Sequence, residues 1–324
     1  MSHSTLRYLS RADVVSLRLP MAEVIAAVEA AFAEKGNGTA EMPPKPGVHP
    51  GPDAFIHAMP AYLAEMGAAG LKWVSGFPRN AERGLPYIAG LFVLNDVDTG
   101  LPLAVMDCTW ITGARTGAAT AVAAKHLARP DSATAGILAC GVQGRTNLEA
   151  LACVFSLERV HAYDIDPDKA SAYAAEMSGK LGLDVEVVSS PRDAVAEMDL
   201  VVTSGPILKH PSPTIQAGWL SPGAFASPVD FDSYWTPEAV AEVDRLATDD
   251  KAQMEYYRTV GYFAHTPTPY ADLGELVTGR HPGRRSPDER TMSMNLGLAI
   301  EDVATARILY ARALEAGVGV DLPL

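Results

Sequence analysis

The sequence is poor in cysteine, in basic residues and in long apolar runs. Only three cysteines occur in 324 residues, Cys108, Cys140 and Cys153. An odd, sparse set without repeated spacing excludes a disulfide framework and a Cys-x-x-Cys zinc site, and points to free thiols in a reducing compartment. Lys and Arg number 26 against 39 Asp and Glu, a formal charge of −13. That balance argues against nucleic acid or an anionic membrane surface as partner, although a local basic pocket can coexist with it. No stretch approaches the roughly 18 uninterrupted apolar residues of a membrane span. Met1 to Pro20 lacks a basic segment followed by an apolar run, so no signal peptide is visible. Eight histidines show no ligand spacing, which speaks against a metal-dependent hydrolase. No Gly-x-Ser-x-Gly elbow is present, which speaks against a serine hydrolase. No internal repeat is present either. The expected location is the cytoplasm, with no metal, nucleic-acid or membrane partner.

What is present reads as a folded two-domain chain, because 324 residues exceed one ordinary core. Met21 to Glu34 has helical periodicity, with Val24, Ile25, Val28, Ala31 and Phe32 on one face and Gly36 and Gly38 as stops. The proline-rich run from Met42 to Pro50 must be extended or turn. Phe55 to Met59, Gly70 to Ser75, Ile88 to Asn95 and Leu101 to Asp107 read as strands of a mainly antiparallel sheet, with a turn at Asp96 to Gly100. Then strands and helices alternate. Strands are expected at Ala133 to Cys140, Arg159 to Ile165, Val185 to Val188, Leu200 to Ser204, Gly223 to Pro228 and Arg245 to Thr248. Helices are expected at Thr116 to Leu127, Thr146 to Phe155, Asp168 to Gly179 and Pro191 to Glu197. Such alternation implies a parallel sheet with helices on both faces. A last helix is expected over Met294 to Glu315, ending at Gly317.

The most informative local feature is the strand from Thr134 running through Ala139-Cys-Gly141-Val142-Gln143-Gly144 into a helix. Gly141 would let the backbone approach a pyrophosphate, Gly144 would allow close helix–strand packing, and the helix N-terminus supplies N–H donors. The first glycine of the usual fingerprint is replaced by Ala139. Asp164, about twenty residues on at the end of the next strand, would accept from ribose hydroxyls. With Asp166 and Asp168 it would repel a 2′-phosphate, so NAD is expected rather than NADP. A flavin is disfavoured because such a motif usually sits near the chain start in flavin enzymes. An ordinary βαβ unit with a glycine turn is the plain alternative.

Lys45, Lys72 and Arg115 sit among apolar or glycine neighbours, in Met42-Pro-Pro-Lys-Pro-Gly, Gly70-Leu-Lys-Trp-Val and Thr112-Gly-Ala-Arg-Thr-Gly-Ala, the last placed just before a helix. A cation in such a setting invites an anionic ligand, and arginine suits a carboxylate. Each could equally be a solvated surface residue.

These segments, with Gly84-Leu-Pro, Asn95-Asp-Val-Asp-Thr-Gly-Leu-Pro and Asn295-Leu-Gly-Leu-Ala-Ile-Glu-Asp-Val-Ala-Thr-Ala, run in order along nearly the whole chain and resemble the ornithine cyclodeaminase/mu-crystallin family. The resemblance implies an α/β fold: a Rossmann-type doubly wound parallel sheet over 119–299 that binds NAD, and an α+β substrate and dimerisation domain from 1–118 with 300–324. It implies a homodimer and an oxidoreductase acting at the α-carbon of a small amino acid or its imine. Carried over, Arg115 and Lys45 would hold the substrate carboxylate, and Lys72 would polarise the substrate or donate a proton. Thr116 would lie near the cofactor phosphates, and Leu296 and Gly297 would line the nicotinamide end. Ser204, closing its strand, joins the cofactor set. Counting from Pro222-Gly223, the family's catalytic aspartate falls on Asp232, with Asp230 as rival. Either acid could instead cap the helix expected near Pro237.

The chain departs from the family pattern in three places. Lys45 stands where relatives often have arginine, His57 where ornithine cyclodeaminases tend to carry an acid, and Tyr87 where a small hydroxyl residue is common. Ornithine is therefore doubtful as substrate, while His57 could also be a plain strand residue. Three activities compete: a redox-neutral cyclodeaminase, an imino acid reductase of the Δ1-pyrroline-2-carboxylate type or amino acid dehydrogenase, and a non-catalytic mu-crystallin-like binder.

Overall fold

The computed structural model describes residues 5–51 and 53–324. Of the Met1 to Pro20 segment, the first four residues lie outside the described residues. In chain order the first part holds β1 (Thr5–Leu9), α1 (Arg11–Ser16), α2 (Met21–Asn37), β2 (Ala40–Glu41), β3 (Gly47–Gly51), β4 (Ala54–Leu63), β5 (Ala68–Gly76), β6 (Ile88–Asn95), β7 (Pro102–Asp107) and α3 (Thr109–Leu127). There follow β8 (Thr134–Leu138), α4 (Val142–Ala152), β9 (Arg159–Tyr163), α5 (Pro167–Leu181), β10 (Val185–Val187), β11 (Leu200–Thr203) and β12 (Phe225–Pro228). Then come α6 (Pro237–Ala241), β13 (Arg245–Thr248), α7 (Lys251–Thr259), β14 (Ala271–Asp272), α8 (Leu273–Val277), β15 (Thr291–Met294), α9 (Ala299–Ala316) and β16 (Val320–Pro323). Two compact units result: one runs to Arg115 and resumes at Leu298, the other spans Thr116–Gly297.

The first unit is an eight-stranded sheet in the order β16-β1-β7-β6-β5-β4-β2, with β3 also paired to β4. Neighbours are antiparallel except β1 and β7. Alternation does the sorting: along β5, Gly70, Lys72 and Val74 are buried while Trp73 is exposed. Helix α9 packs on the buried face of β4, β5 and β6, and α2 packs on α9. The buried stripe of α2 includes the five residues its periodicity marks, Val24, Ile25, Val28, Ala31 and Phe32. It stops at Gly38, whose φ of 78° supplies the left-handed cap, and Gly36 lies buried inside the last turn.

The second unit is an all-parallel sheet in the order β10-β9-β8-β11-β12-β15-β13-β14. The order reverses between β8 and β11, which makes the crevice beyond their C-terminal ends the place for a ligand. Strands β8 and β11 read as unbroken apolar runs because they are buried throughout or nearly so. Their core includes Leu138, Val201, Ala226, Met292 and Met294, with Phe231, Trp235 and Phe263 packed against it.

Several boundaries differ from the sequence expectation. The alanine-rich helix begins at Thr109, not Thr116, because Asp107 accepts the Thr109 N–H at 3.0 Å and caps a first turn whose threonines and isoleucine read as strand formers. Helix α4 begins at Val142 rather than Thr146, directly on Gly141. Pro191 to Glu197 forms turns, not a helix, and Glu197 sits at φ 61°. The last helix begins at Ala299. Thr291 to Met294 instead pairs with β12 and β13, and Gly297 at φ 77° breaks the backbone between. A short buried strand and the start of a buried helix carry the same apolar pattern. The described residues include no helix long and apolar enough to cross a membrane.

Candidate active site

The first unit buries two cations and two carboxylates together. Lys72, on the α9-facing side of β5, is 1 % exposed, and Arg115, on α3, is 7 % exposed. Glu301 and Asp302, consecutive in the first turn of α9, are both fully buried. Lys72 Nζ lies 2.6 Å from Asp302 Oδ2. Asp302 Oδ1 lies 3.2 Å from Arg115 Nε, and Arg115 Nη1 donates to Glu301 Oε2 at 2.9 Å. Glu301 Oε1 accepts the Leu298 N–H at 3.0 Å, tying the network to the start of α9. Charges are buried only when paired, and the positive helix end favours both carboxylates. Burial pushes the Lys72 ammonium down to about 8; Arg115 adds to the shift and Asp302 opposes it. Sequence reasoning placed Arg115 before a helix. It lies inside α3, one turn and a half from its start, and Thr116 follows it as a half-buried helical residue. Glu301 and Asp302 went unnoticed, although an adjacent acid pair in an apolar run was a usable signal.

His57 shares the buried face with Lys72. It pairs with Val74, two residues beyond Lys72 on β5, and Met59 pairs with Lys72 itself. Diagonal neighbours of this kind lie about 7–8 Å apart. The imidazole stacks on Phe55 with centroids 4.4 Å apart, and His49 meets it edge-on. Two glycines make the room: a Cβ on Gly47 would fall 2.2 Å from His57 Cδ2, and one on Gly76 would fall 2.3 Å from Phe55 Cε1. Burial lowers the His57 pKa to about 4, with help from the charges of Lys45, His49 and Lys72. His57 is therefore neutral near pH 7. Lys45 is half-buried between β2 and β3. Tyr87 immediately precedes β6; its hydroxyl is pushed up by burial and by the charge of Asp53.

The second unit builds its site from backbone. Ala139 adopts φ 72°, the left-handed conformation for which the usual fingerprint employs glycine. Gly141 caps α4 without a side-chain hydrogen bond, and a Cβ there would meet open space. A Cβ on Gly144 would fall 2.6 Å from the Ala139 oxygen, so glycine is required for the helix to pack this closely. Val142 and Gln143 form the first turn, and Val142 is 62 % exposed. Asp164 follows β9 directly. Its Oδ2 accepts the Cys140 N–H at 2.8 Å and its Oδ1 the Asp166 N–H at 3.0 Å, which locks the acid to the turn. Ser204, just past β11, donates to the Ala139 oxygen at 2.8 Å and braces the turn from the other side. A dinucleotide fits this arrangement: the helix start offers N–H groups to a diphosphate, and each Asp164 oxygen keeps a lone pair for a ribose hydroxyl. Arg145, the cation within the motif, is turned onto Glu176 and the Cys140 oxygen, away from the role of a 2′-phosphate ligand.

The two aspartates after β12 differ in access. Asp230 is fully buried; it accepts from Thr203 Oγ1 at 2.7 Å and the Gly205 N–H at 2.9 Å. Burial raises its pKa to about 7 against these hydrogen bonds. Asp232 is half-buried, accepts from Thr266 Oγ1 at 3.2 Å, and lines a cavity of about 400 Å³ with Trp235, Tyr262 and His210. Neither acid caps the helix at Pro237, because Thr236 does so through the Ala239 N–H. Leu296 and Gly297 lie in the loop after β15, outside the expected helix. Both N–H groups donate to Asp249 Oδ2, at 2.8 and 2.6 Å. Asp249, buried at the end of β13, also escaped the sequence reading.

Comparison with known proteins gives consistent matches. The model of the ornithine cyclodeaminase/mu-crystallin family matches residues 7–317. The chain is 36 % identical to the alanine dehydrogenase of Archaeoglobus fulgidus over 319 residues, 96 % of each chain. Among solved structures, Thermococcus litoralis Δ1-pyrroline-2-carboxylate reductase in complex with NADH and L-proline superimposes with a TM-score of 0.88 at 37 % identity, covering 98 % of this chain and 100 % of that one. An archaeal alanine dehydrogenase dimer with bound NAD also gives 0.88, at 34 % identity over 99 % of this chain and 100 % of that one.

Proposed function

The chain belongs to the ornithine cyclodeaminase/mu-crystallin family, and from that premise we propose that it is an NAD-dependent imino acid reductase or amino acid dehydrogenase. The observation that carries this reading is the buried Lys72 ammonium, paired with Asp302 on the same sheet face as a neutral His57. In the reductive direction Arg115 and Lys45 bind the substrate carboxylate, and Lys72 Nζ gives a proton to the imine nitrogen. Bound at the Gly141 turn with its ribose on Asp164, NADH would supply the hydride. Thr116, Ser204, Leu296 and Gly297 complete the cofactor set. Asp232 is the aspartate assigned to proton relay or water activation, because it borders a cavity. Asp230, with both oxygens held by Thr203 and Gly205, serves the loop after β11.

His57 and Tyr87 face the substrate side chain in this reading. A neutral imidazole with Lys45 nearby offers no negative charge to a second ammonium, which a cyclodeaminase substrate must carry. The dehydrogenase and reductase names of the relatives support the same choice. The family's cyclodeaminase chemistry, which regenerates its cofactor within each turnover, is the reading it displaces.

The proposal includes a homodimer. The sheet face opposite α9 carries Tyr8, Tyr62, Trp73, Leu91 and Val320, each more than a third exposed. Register aligns Ala58, Trp73 and Leu91 in one row, and Leu71, Val93, Val105, Tyr8 and Val320 in the next. Such an apolar sheet face suits a second copy of itself, and one of the matched structures is a dimer. Cytoplasmic placement is proposed from the free thiols Cys108, Cys140 and Cys153.

The test is NADH consumption with Δ1-pyrroline-2-carboxylate, and with pyruvate plus ammonia or amines, beside ammonia release from ornithine with catalytic NAD. Net NADH loss with an imine is expected. Ammonia and proline from ornithine, without net NADH change, would overturn the reductase reading.

A further inference from the structure

Asp302 touches both cations of the first unit. One oxygen lies 2.6 Å from Lys72 Nζ and the other 3.2 Å from Arg115 Nε. Glu301 directs its two oxygens elsewhere, to Arg115 Nη1 and the Leu298 N–H. Both acids sit in the first turn of α9, a helix of 18 residues whose other turns pack against α2 and β4–β6. The carboxylate that orients the lysine is thus fixed by a rigid element rather than by a loop. Lys72 itself projects from the middle of β5, between Met59 on one side and Phe92 on the other. Among the described residues, the carboxylate in salt-bridge contact with its ammonium is Asp302.

We propose that Asp302 is the positioning residue of this site: it aims Lys72 Nζ and holds the Arg115 guanidinium edge, while making no contact with substrate. The inference rests on the reading of Lys72 as proton donor and Arg115 as carboxylate ligand. Asp302 also sets the charge state. Burial and Arg115 both drive the Lys72 proton off, and Asp302 is the leading group that retains it. Without Asp302, the lysine would lose its proton at a lower pH and would drift within its pocket.

The experiment is a pH titration of the full-length protein labelled with ¹³C at the lysine ε-carbons, the Lys72 signal being assigned by its disappearance in Lys72→Met. In the native protein the midpoint is expected near 8. In Asp302→Asn it should fall by about 1–3 pH units, the range for loss of one adjacent opposite charge. An unmoved midpoint in folded Asp302→Asn would overturn the inference. Should that variant not fold, Asp302→Glu decides: it keeps the charge one methylene out of place. Its midpoint should stay near the native value while kcat/KM for the imine that the protein reduces falls at least tenfold; native kcat/KM in Asp302→Glu would overturn the positioning role. Failure of the underlying reading looks different, because Lys72→Met would then retain native turnover whatever Asp302 does.

Discussion

The two units arrange their buried polar groups in opposite ways. The unit with Lys72 uses side-chain charge, buried and balanced: two cations against two carboxylates. The unit with the Gly141 turn uses backbone donors and glycine shape, with Asp164 and Ser204 bracing the turn. Backbone sites are assembled from residues near in sequence, so they carry a local signature. Charge networks join residues far apart; Arg115 and its partner Glu301 are 186 positions distant. The two also differ in fragility. Removing one member of a buried network strands a partner charge, whereas a turn degrades by increments.

That contrast predicts a graded set of outcomes. The largest effect belongs to Lys72→Met, which should lower kcat about 10²–10⁴-fold, the usual contribution of a proton donor, while NADH affinity measured by calorimetry stays native. Equal loss of NADH binding would break the division of labour between the units. In the reductive direction the lysine must be protonated, so kcat/KM of the native enzyme should hold below pH 8 and decline as pH rises through about 8. In the oxidative direction the sign reverses and activity rises through the same pH. A pH-independent rate in both directions would remove Lys72 from the chemistry.

Arg115→Lys should raise KM and reduce kcat/KM about 10–100-fold, because a point charge replaces a fork and loses charge-assisted bonds worth ~1.5–3 kcal/mol. Steady-state kinetics with the imine decides this. Asp164→Ala should weaken NADH about tenfold and narrow the preference over NADPH, a loss of roughly 1.4 kcal/mol; unchanged discrimination between the two cofactors would relocate the ribose contact. Trp73→Glu should shift the protein to monomers in sedimentation without altering the NADH site; a monomeric native protein would remove the dimer from the proposal.

Ala139→Gly relieves a left-handed alanine and should stabilise the second unit by about 0.5–1 kcal/mol, strain relief exceeding the added chain entropy. Thermal melting would read it. A lower melting temperature would mean that Ala139 packs usefully enough to outweigh its backbone strain.

Legibility followed the same physical line. Ile88 to Asn95 coincides with β6, since it is an apolar run between turns, and Arg245 to Thr248 coincides with β13. The strand–turn–helix at Thr134 to Gly144 was visible from its glycines. Short β1 and β16 passed unseen because a strand of four or five residues carries no period of its own; its pairing partners define it. Glu301 and Asp302 look like surface acids of an amphipathic helix until α9 is laid on the sheet. Asp249 looks like a loop acid until Leu296 and Gly297 return beside it.

The family, the parallel and antiparallel halves and the strand–turn–helix at Thr134 to Gly144 are written in local periodicity, glycine placement or contiguous motif. Tertiary structure alone decided which charges are buried and with whom: that Asp302 joins Lys72 to Arg115, that His57 is held neutral on an aromatic stack, and that Asp230 is closed off while Asp232 borders a cavity. The physical reason is that a side chain's charge state and partners depend on the dielectric and the neighbours supplied by distant elements, and no local pattern encodes these.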